Sequence, residues 1–324
     1  MGLAENIRLL PHRTMRSALI SLSHRRSLAR LSVRSPLTRS VVARFVAGET
    51  LEAALPAIAA LKRAGLRTTV DVLGESVTSP EHATAAVDRY LATIAALSAR
   101  DLDPNVSVKL SQMGLAIDPA LCRANVMQIV EAVRGVDGFV RFDMEDHTWT
   151  DATLEVWRAA HDAYPQVGVV IQSALRRSSG DVDAIIAVGG RVRLCKGAYD
   201  EPGSVAFRTK SAVDANYARL MERLLLADVY PALATHDPKL IAKAIEITDR
   251  EGIAADRFEF QMLYGIRRDL QRTLLDRGYR VRIYVPYGQE WYPYFMRRLA
   301  ERPANVGFML RSILKEERRR LRGR

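Results

Sequence analysis

Cysteine is nearly missing from this chain: Cys122 and Cys195 are the only two among 324 residues. Two cysteines cannot staple a fold of this size, so no disulfide framework is expected, and reducing cytoplasm is the default compartment. Their spacing matches no metal site. No apolar run is long enough to span a bilayer. No charged stretch followed by a long apolar one marks a secretory signal. There is no H-x-H pair, and His147 and His236 are the only histidines expected near strand ends, so no catalytic metal is expected. A G-x-S-x-G nucleophile elbow is absent. So is a G-x-G-x-x-G after the first strand, which removes the Rossmann fingerprint.

Acidic residues are missing from one end. The first 48 residues are rich in arginine and hold no lysine and a single acid, Glu5. The chain closes on another basic run, "KEERRRLRGR", and carries a formal charge of +11. Three readings compete for the N-terminal segment. It resembles an organelle transit peptide in being rich in Arg and Ser. Its stretch "ALISLSHRRSLARLSV" could lie on an anionic membrane surface. The preferred reading is a pair of basic helices packed on the body. No finger, helix-turn-helix or aromatic-rich basic repeat supports nucleic-acid binding, so none is expected. The expected organisation is a basic helical segment over 1–48, a catalytic domain over 49–316 and a basic tail over 317–324.

What the chain does have is alternation, and at 48% hydrophobic residues it has enough apolar side chain for a core. Strand-like runs fall at 66–75, 105–111, 138–145, 167–173, 191–197, 230–236, 258–263 and 279–286. Each is followed by a helical stretch, and "TLEAALPAIAALKRAG" precedes the first. The runs are short and largely Val, Ile, Leu and Phe, as in a parallel sheet buried on both faces. Strict βα alternation predicts an α/β fold. Eight units match a (β/α)8 TIM-type barrel, with a doubly wound open sheet as the alternative.

In such a barrel the site forms at the C-terminal ends of the strands. Those ends carry Lys109; Arg141, Asp143 and Glu145; Gln172; Arg193 and Lys196; Thr235 and His236; Glu259 and Gln261; Arg282 and Tyr284. Buried ionisable groups are costly unless paired or used, so polar residues at so many ends predict a site. The cationic excess of Lys109, Arg193, Lys196, Arg297 and Arg298 points to an anionic ligand: a carboxylate, a phosphate or an electron-rich flavin. Lys109 is also a candidate Schiff-base lysine, as in barrel aldolases.

The segment "YPYFMRRLAERP" reads as a short helix. Tyr292, Phe295, Met296 and Leu299 form one apolar stripe. Tyr294, Arg297, Arg298 and Glu301 form a second stripe roughly opposite. Taken alone, this is a surface helix with a solvated basic face.

The motifs "VSVKLS", "RFDMED", "VVIQSALRRS", "RVRLCKGAYDEP", "LATHD", "FEFQMLYG" and "RIYVPYGQEWYPYFMRRLAERPAN" resemble those of the proline dehydrogenase family. They occur in the family's order from about residue 44 to 314, and the likeness is to the compact monofunctional bacterial members. The resemblance implies FAD as cofactor and oxidation of L-proline to Δ1-pyrroline-5-carboxylate, the first step of proline catabolism, with electrons passed to a quinone. It also implies extra N-terminal helices and a last helix that lies over the strand ends.

By position, the resemblance gives Asp143 and Arg193 catalytic roles. Lys109, Arg297 and Arg298 match a carboxylate pocket. Tyr284 matches the residue packed on the substrate ring, and Leu263 and Tyr199 the residues that close over it. Met144, Gln172, Arg193, Lys196, Gly197, Ala198, Thr235 and His236 match flavin-contacting positions, with Glu301 on the stripe facing the flavin. Asp143 is expected to orient cationic side chains rather than abstract a proton. One branch of the family has tryptophan after G-A-Y, where this chain has Asp200. Hydroxyproline as substrate, an aldolase using Lys109 and a non-enzymatic basic scaffold remain rival readings. Delivery to a quinone makes the arginine-rich segment a candidate for peripheral contact with the inner face of a membrane.

Overall fold

The computed structural model of the chain describes residues 42–74 and 76–301, with 297–301 as backbone alone. The expected helices before residue 42 and the tail 317–324 lie outside these residues.

Helix starts are written into the local sequence. Ser79-Pro80, Asp118-Pro119 and Asp237-Pro238 each pair a capping side chain with a proline at the first helical position. The cap oxygen accepts from the first-turn N–H of His82, Ala120 and Lys239 respectively, and the proline has no N–H to leave unsatisfied there. These caps open α2 (Pro80–Ser98), α3 (Pro119–Arg134) and α7 (Pro238–Glu251). The remaining helices are α1 (Leu51–Arg63), α4 (Thr150–Ala163), α5 (Ser178–Ile186), α6 (Lys210–Leu226), α8 (Arg268–Asp276) and α9 (Trp291–Glu301).

The strands are β1 (Arg67–Val72), β2 (Asn105–Lys109), β3 (Phe139–Asp143), β4 (Val167–Gln172), β5 (Arg191–Cys195), β6 (Ala232–Ala234), β7 (Glu259–Leu263) and β8 (Val281–Tyr287). All neighbours pair in parallel and in sequence order, and β1 pairs β8, closing the barrel. The (β/α)8 expectation holds, and the open-sheet alternative falls. Strand β6 is shorter than the run 230–236 suggested. Pro231 has no N–H to give a ladder. At the other end Thr235 and His236 turn their side chains to the backbone N–H groups of Asp237 and Leu263. No helix among the described residues is long and apolar enough to cross a membrane.

Period-two alternation splits the strands into two environments. Val106 and Val108, Val140 and Phe142, and Val192 and Leu194 point outward and join the core under the helices. The interior is polar, which the apolar look of the strands did not suggest. Its charged residues are Asp71, Lys109, Arg141, Asp143, Arg193, Glu259 and Arg282, and Ser107, Gln261 and Tyr284 sit among them. Branched apolar side chains ordinarily fill this space.

Near the N-terminal ends of the strands, Arg282 Nε donates to both oxygens of Glu259 at 2.9 and 3.1 Å. Its Nη1 donates to Asp103 Oδ2 and the Thr68 carbonyl, both at 2.6 Å. Arg141 Nη1 reaches the Arg191 carbonyl at 2.7 Å by crossing over Gly168. Arg141, Glu259 and Arg282 were expected at the C-terminal strand ends; they lie instead a layer below, paired toward the N-terminal ends. A Cβ on Gly168 would stand 2.6 Å from Arg141 Cζ and 2.7 Å from the Arg191 carbonyl oxygen. Gly168→Ala should therefore cost about 1–3 kcal/mol through overpacking, measurable by urea unfolding. A change within a few tenths would show that Arg141 can move aside.

Helix α1 packs on β1 and β8, in the place an eighth barrel helix would take. Helix α9 follows β8 and buries Trp291, Tyr292, Tyr294, Phe295 and Met296 against Val42, Val46 and Leu73, with Tyr284 packed alongside. Leu73 lies just past the end of β1, so α9 covers the C-terminal face of the barrel. Tyr292 and Tyr294 lie on opposite stripes, yet their exposures are 8% and 6%. Neither face of this first turn is solvated.

Candidate active site

Four of the residues singled out in the sequence converge at the C-terminal ends of the strands. Asp143, at the end of β3, accepts from Tyr284 Oη at 2.8 Å, from Arg193 Nη1 at 2.8 Å and from Lys109 Nζ at 3.4 Å. Lys109 Nζ also lies 3.3 Å from Tyr284 Oη. The Arg193 guanidinium stands 5.3 Å from the centre of the Tyr284 ring. Its Nε donates to Gln261 Oε1 at 2.5 Å, and Nη1 also donates to Ser107 Oγ at 2.8 Å.

Two members of this cluster were missed from the sequence. Ser107 donates to Asp143 Oδ1 at 2.7 Å. Asp71, fully buried on β1, takes the shorter of the two Lys109 bonds, 3.0 Å from Nζ to Oδ1. The signal for Asp71 was available: in "VDV" an acid alternates with two valines, as Lys109 does in "VKL".

The charges follow from these contacts. Burial opposes ionisation of Asp143, but Lys109, Arg193 and the hydrogen bonds from Ser107 and Tyr284 outweigh it and hold the carboxyl below its ordinary range. Burial likewise opposes the charge on Lys109, and Asp71 and Asp143 overcome it, holding the ammonium well above the usual lysine range. A Schiff-base lysine needs the opposite shift, which counts against the aldolase reading. Burial raises the Tyr284 hydroxyl well above its normal value, with Asp143 and Asp71 adding to the rise, so it stays a donor.

A second group lies around the ends of β4 to β7. Gln172 gives its amide nitrogen to the Met144 and Glu145 carbonyls, at 3.2 and 2.7 Å. Its Oε1 is buried without a partner. Gly197 has φ of +101° and runs so close that a Cβ there would meet Gln172 Oε1 at 2.7 Å. His236 Nε2 accepts from the Leu263 N–H at 3.0 Å, which places the neutral ring's proton on Nδ1. Thr235 is buried beside it in sequence, and Met144 packs its side chain into the core. Ala198 and Tyr199 follow Gly197 on the long loop after β5, with Tyr199 38% exposed.

Lys196 does not join the Lys109 cluster. Its ammonium lies 2.6 Å from Asp214 on α6 and 2.9 Å from Asp237, the cap of α7. The side chains of Arg297, Arg298 and Glu301 lie outside the described residues. Among the described residues no group of His, Cys, Asp and Glu could hold a metal ion.

A closed (β/α)8 barrel with charged side chains gathered at the C-terminal ends of its strands has the architecture of a barrel enzyme. The family profile described as proline dehydrogenase matches residues 54–311. The chain is 44% identical over 277 residues to the "Proline dehydrogenase" of Deinococcus radiodurans, covering 84% of this chain and 89% of that protein. It is 38% identical over 302 residues to "Proline dehydrogenase 1" of Bacillus subtilis, covering 93% of this chain and all of that one. Among solved structures, proline utilization A from Bdellovibrio bacteriovorus, inactivated by N-propargylglycine, matches with a TM-score of 0.75 and 26% identity. That match covers 81% of this chain and 32% of the longer protein. The chain belongs to the proline dehydrogenase family.

Proposed function

We propose that the protein is a flavin-dependent oxidoreductase that converts L-proline to Δ1-pyrroline-5-carboxylate, the first step of proline catabolism. The observation that carries this is the Lys109–Asp143–Arg193–Tyr284 cluster at the strand ends of a barrel from this family.

FAD is the proposed cofactor, and the second group of residues fits it. The unpartnered Oε1 of Gln172 is an acceptor next to a glycine that leaves room for close approach, and the flavin ring offers an N–H. Gln172, Gly197, Ala198, Thr235, His236 and Met144 would hold the cofactor, with Lys196 and Glu301 at its margin. When bound, the flavin supplies the two-electron acceptor.

The chain's own residues bind, orient and keep charge in place. Lys109, Arg297 and Arg298 would take the substrate carboxylate, two of them with planar guanidinium forks. Tyr284 and Leu263 would pack on the ring, with Tyr199 closing from the β5 loop. The substrate amine must lose its proton before its lone pair can assist loss of hydride. Asp143 is poorly suited to take that proton, because Lys109 and Arg193 hold its carboxyl below the ordinary range and leave it a weak base. It fixes those cations instead. Arg193 would supply positive charge beside the cofactor, which accepts electrons as it is reduced. Tyr284 presents its ring where a 4-hydroxyl would need space and a polar partner, and this favours proline over hydroxyproline. A quinone as electron acceptor, peripheral membrane contact through the basic segment 1–48 and a catalytic unit over 49–316 complete the proposal.

The test is the visible spectrum of the purified protein before and after anaerobic L-proline. Flavin absorbance that bleaches on addition is expected. A colourless protein, or a flavin that stays oxidised under proline, overturns the reading.

A further inference from the structure

The C-terminal ends of the strands hold the proposed chemistry; the opposite mouth of the barrel carries a charge of its own. Alternation brings three arginines there. Asp71, Arg193 and Tyr284 point into the barrel interior. Arg67, Arg191 and Arg280 sit four, two and four residues before them on the same faces, at the N-terminal ends of β1, β5 and β8. Two aromatic rings lie among them. The Arg191 guanidinium stands 5.6 Å from the ring centres of both Phe139 and Tyr230, and that of Arg280 stands 5.9 Å from Tyr230. Arg141 reaches down from the layer above, passing 4.7 Å from the Phe139 ring to the Arg191 carbonyl.

Charge does not balance in this mouth. Asp103 and Glu259 hold Arg282, and Asp256 holds Arg280. Arg67, Arg141 and Arg191 pair with no carboxylate among the described residues, and the Arg191 guanidinium makes only its two ring contacts there. Arg141 is 3% exposed, and its Nε is buried without a partner. Burial, and then the like charges of Arg193, Arg282 and Arg191, push Arg141 well below the ordinary arginine range against the pull of Glu259. Buried cations set side by side are costly unless an anion answers them.

We propose that the N-terminal mouth of the barrel is a binding site for a phosphate group, held by Arg191 and Arg67 with Arg141 behind them. Arg67, Arg141, Arg191, Arg280 and Arg282 face only Asp103, Asp256 and Glu259, so a dianion restores the balance. Planar guanidinium forks match the oxygens of an oxyanion. Phe139 and Tyr230 fix the Arg191 fork against their faces. The site lies at the far end of the barrel from Gln172 and Gly197, apart from the residues proposed for the cofactor, and does not depend on proline as the substrate.

Thermal unfolding of the purified holoenzyme tests this, with inorganic phosphate exchanged for chloride at constant ionic strength. Phosphate at a tenfold excess over its Kd should raise the midpoint by about 2 °C. The response should be lost in Arg191→Gln. In Arg67→Gln, which removes an exposed side chain, phosphate should bind about tenfold more weakly, the loss of one charged hydrogen-bonding partner. Proline turnover should match the wild type in both variants, since neither residue touches the strand-end cluster. Glycerol 3-phosphate in place of inorganic phosphate separates the sources: tighter binding assigns the site to a phosphorylated metabolite, and equal or weaker binding to the free ion. A midpoint indifferent to phosphate, or a response that both variants retain in full, overturns the proposal. The Arg67→Gln arm decides even where Arg191→Gln fails to fold. The midpoint is read without turnover, so this proposal and the proline reading fail separately.

Discussion

Arg282→Met is expected to destabilise the protein by about 3–5 kcal/mol, the usual penalty for stripping one partner from a buried ion pair. Arg282 and Glu259 are 6% and 2% exposed, and the guanidinium contacts both carboxylate oxygens. Without it, Glu259 keeps only neutral donors among the described residues, the Gln261 amide and the Tyr230 hydroxyl, at a buried position. Equilibrium urea unfolding measures the loss. Glu259→Leu added to Arg282→Met should recover most of it, since an apolar pair of similar volume leaves no buried charge. A single variant within 1 kcal/mol of wild type would mean that the lower layer is solvated.

The pH dependence of this deficit has a definite sign. Burial resists the charge on Glu259, but Arg282 overrides it and holds the carboxyl below the ordinary glutamate range. That contribution is present above the unfolded pKa and is lost as pH falls through the lower folded one. In Arg282→Met, burial, the largest influence on Glu259, is opposed only by the weaker Gln261 hydrogen bond and Arg141 charge, and the folded pKa is expected to rise above the unfolded one. The variant's own penalty then fades below the unfolded pKa. The two stability curves should converge in acid.

The lower layer also reaches the site. Gln261 donates to Glu259 and accepts from Arg193, so hydrogen bonds run unbroken from Asp103 at the base, through Arg282, Glu259, Gln261 and Arg193, to Asp143 and Tyr284 at the strand ends. In such a network each member restricts its neighbours. Much of this barrel could be read from the sequence, because βα alternation and capped prolines such as Asp237-Pro238 act locally. Lys109, Asp143, Arg193 and Tyr284 were legible because a polar residue among Val and Leu near a strand end stands out. Asp71 satisfies the same rule and was passed over, since strands buried on both faces were taken to be apolar on both. The pairings themselves were not legible. Arg193 meets Gln261 across 68 residues and Arg282 meets Asp103 across 179, and only barrel closure brings them together. In α9, periodicity gave two faces but not what covers them, and Tyr294, on the stripe with the arginines, is buried as deeply as Tyr292.

Asp143→Asn should lower kcat/KM for proline by about 10²–10³, the range seen when one preorganised electrostatic contact is removed, with flavin content unchanged. The size of the loss alone does not separate orientation from proton abstraction, because general-base catalysis contributes on the same scale. The pH profile does. Asp143 is held ionised below the ordinary aspartate range. It is already a carboxylate throughout the neutral region and has no titration left to show there. The rise of kcat/KM with pH therefore belongs to the substrate amine, and Asp143→Asn should lower the whole curve without moving its ascending limb. Loss of that limb in the variant would make Asp143 the base. A preserved limb would show that Asp143 acts by fixing the cations around it.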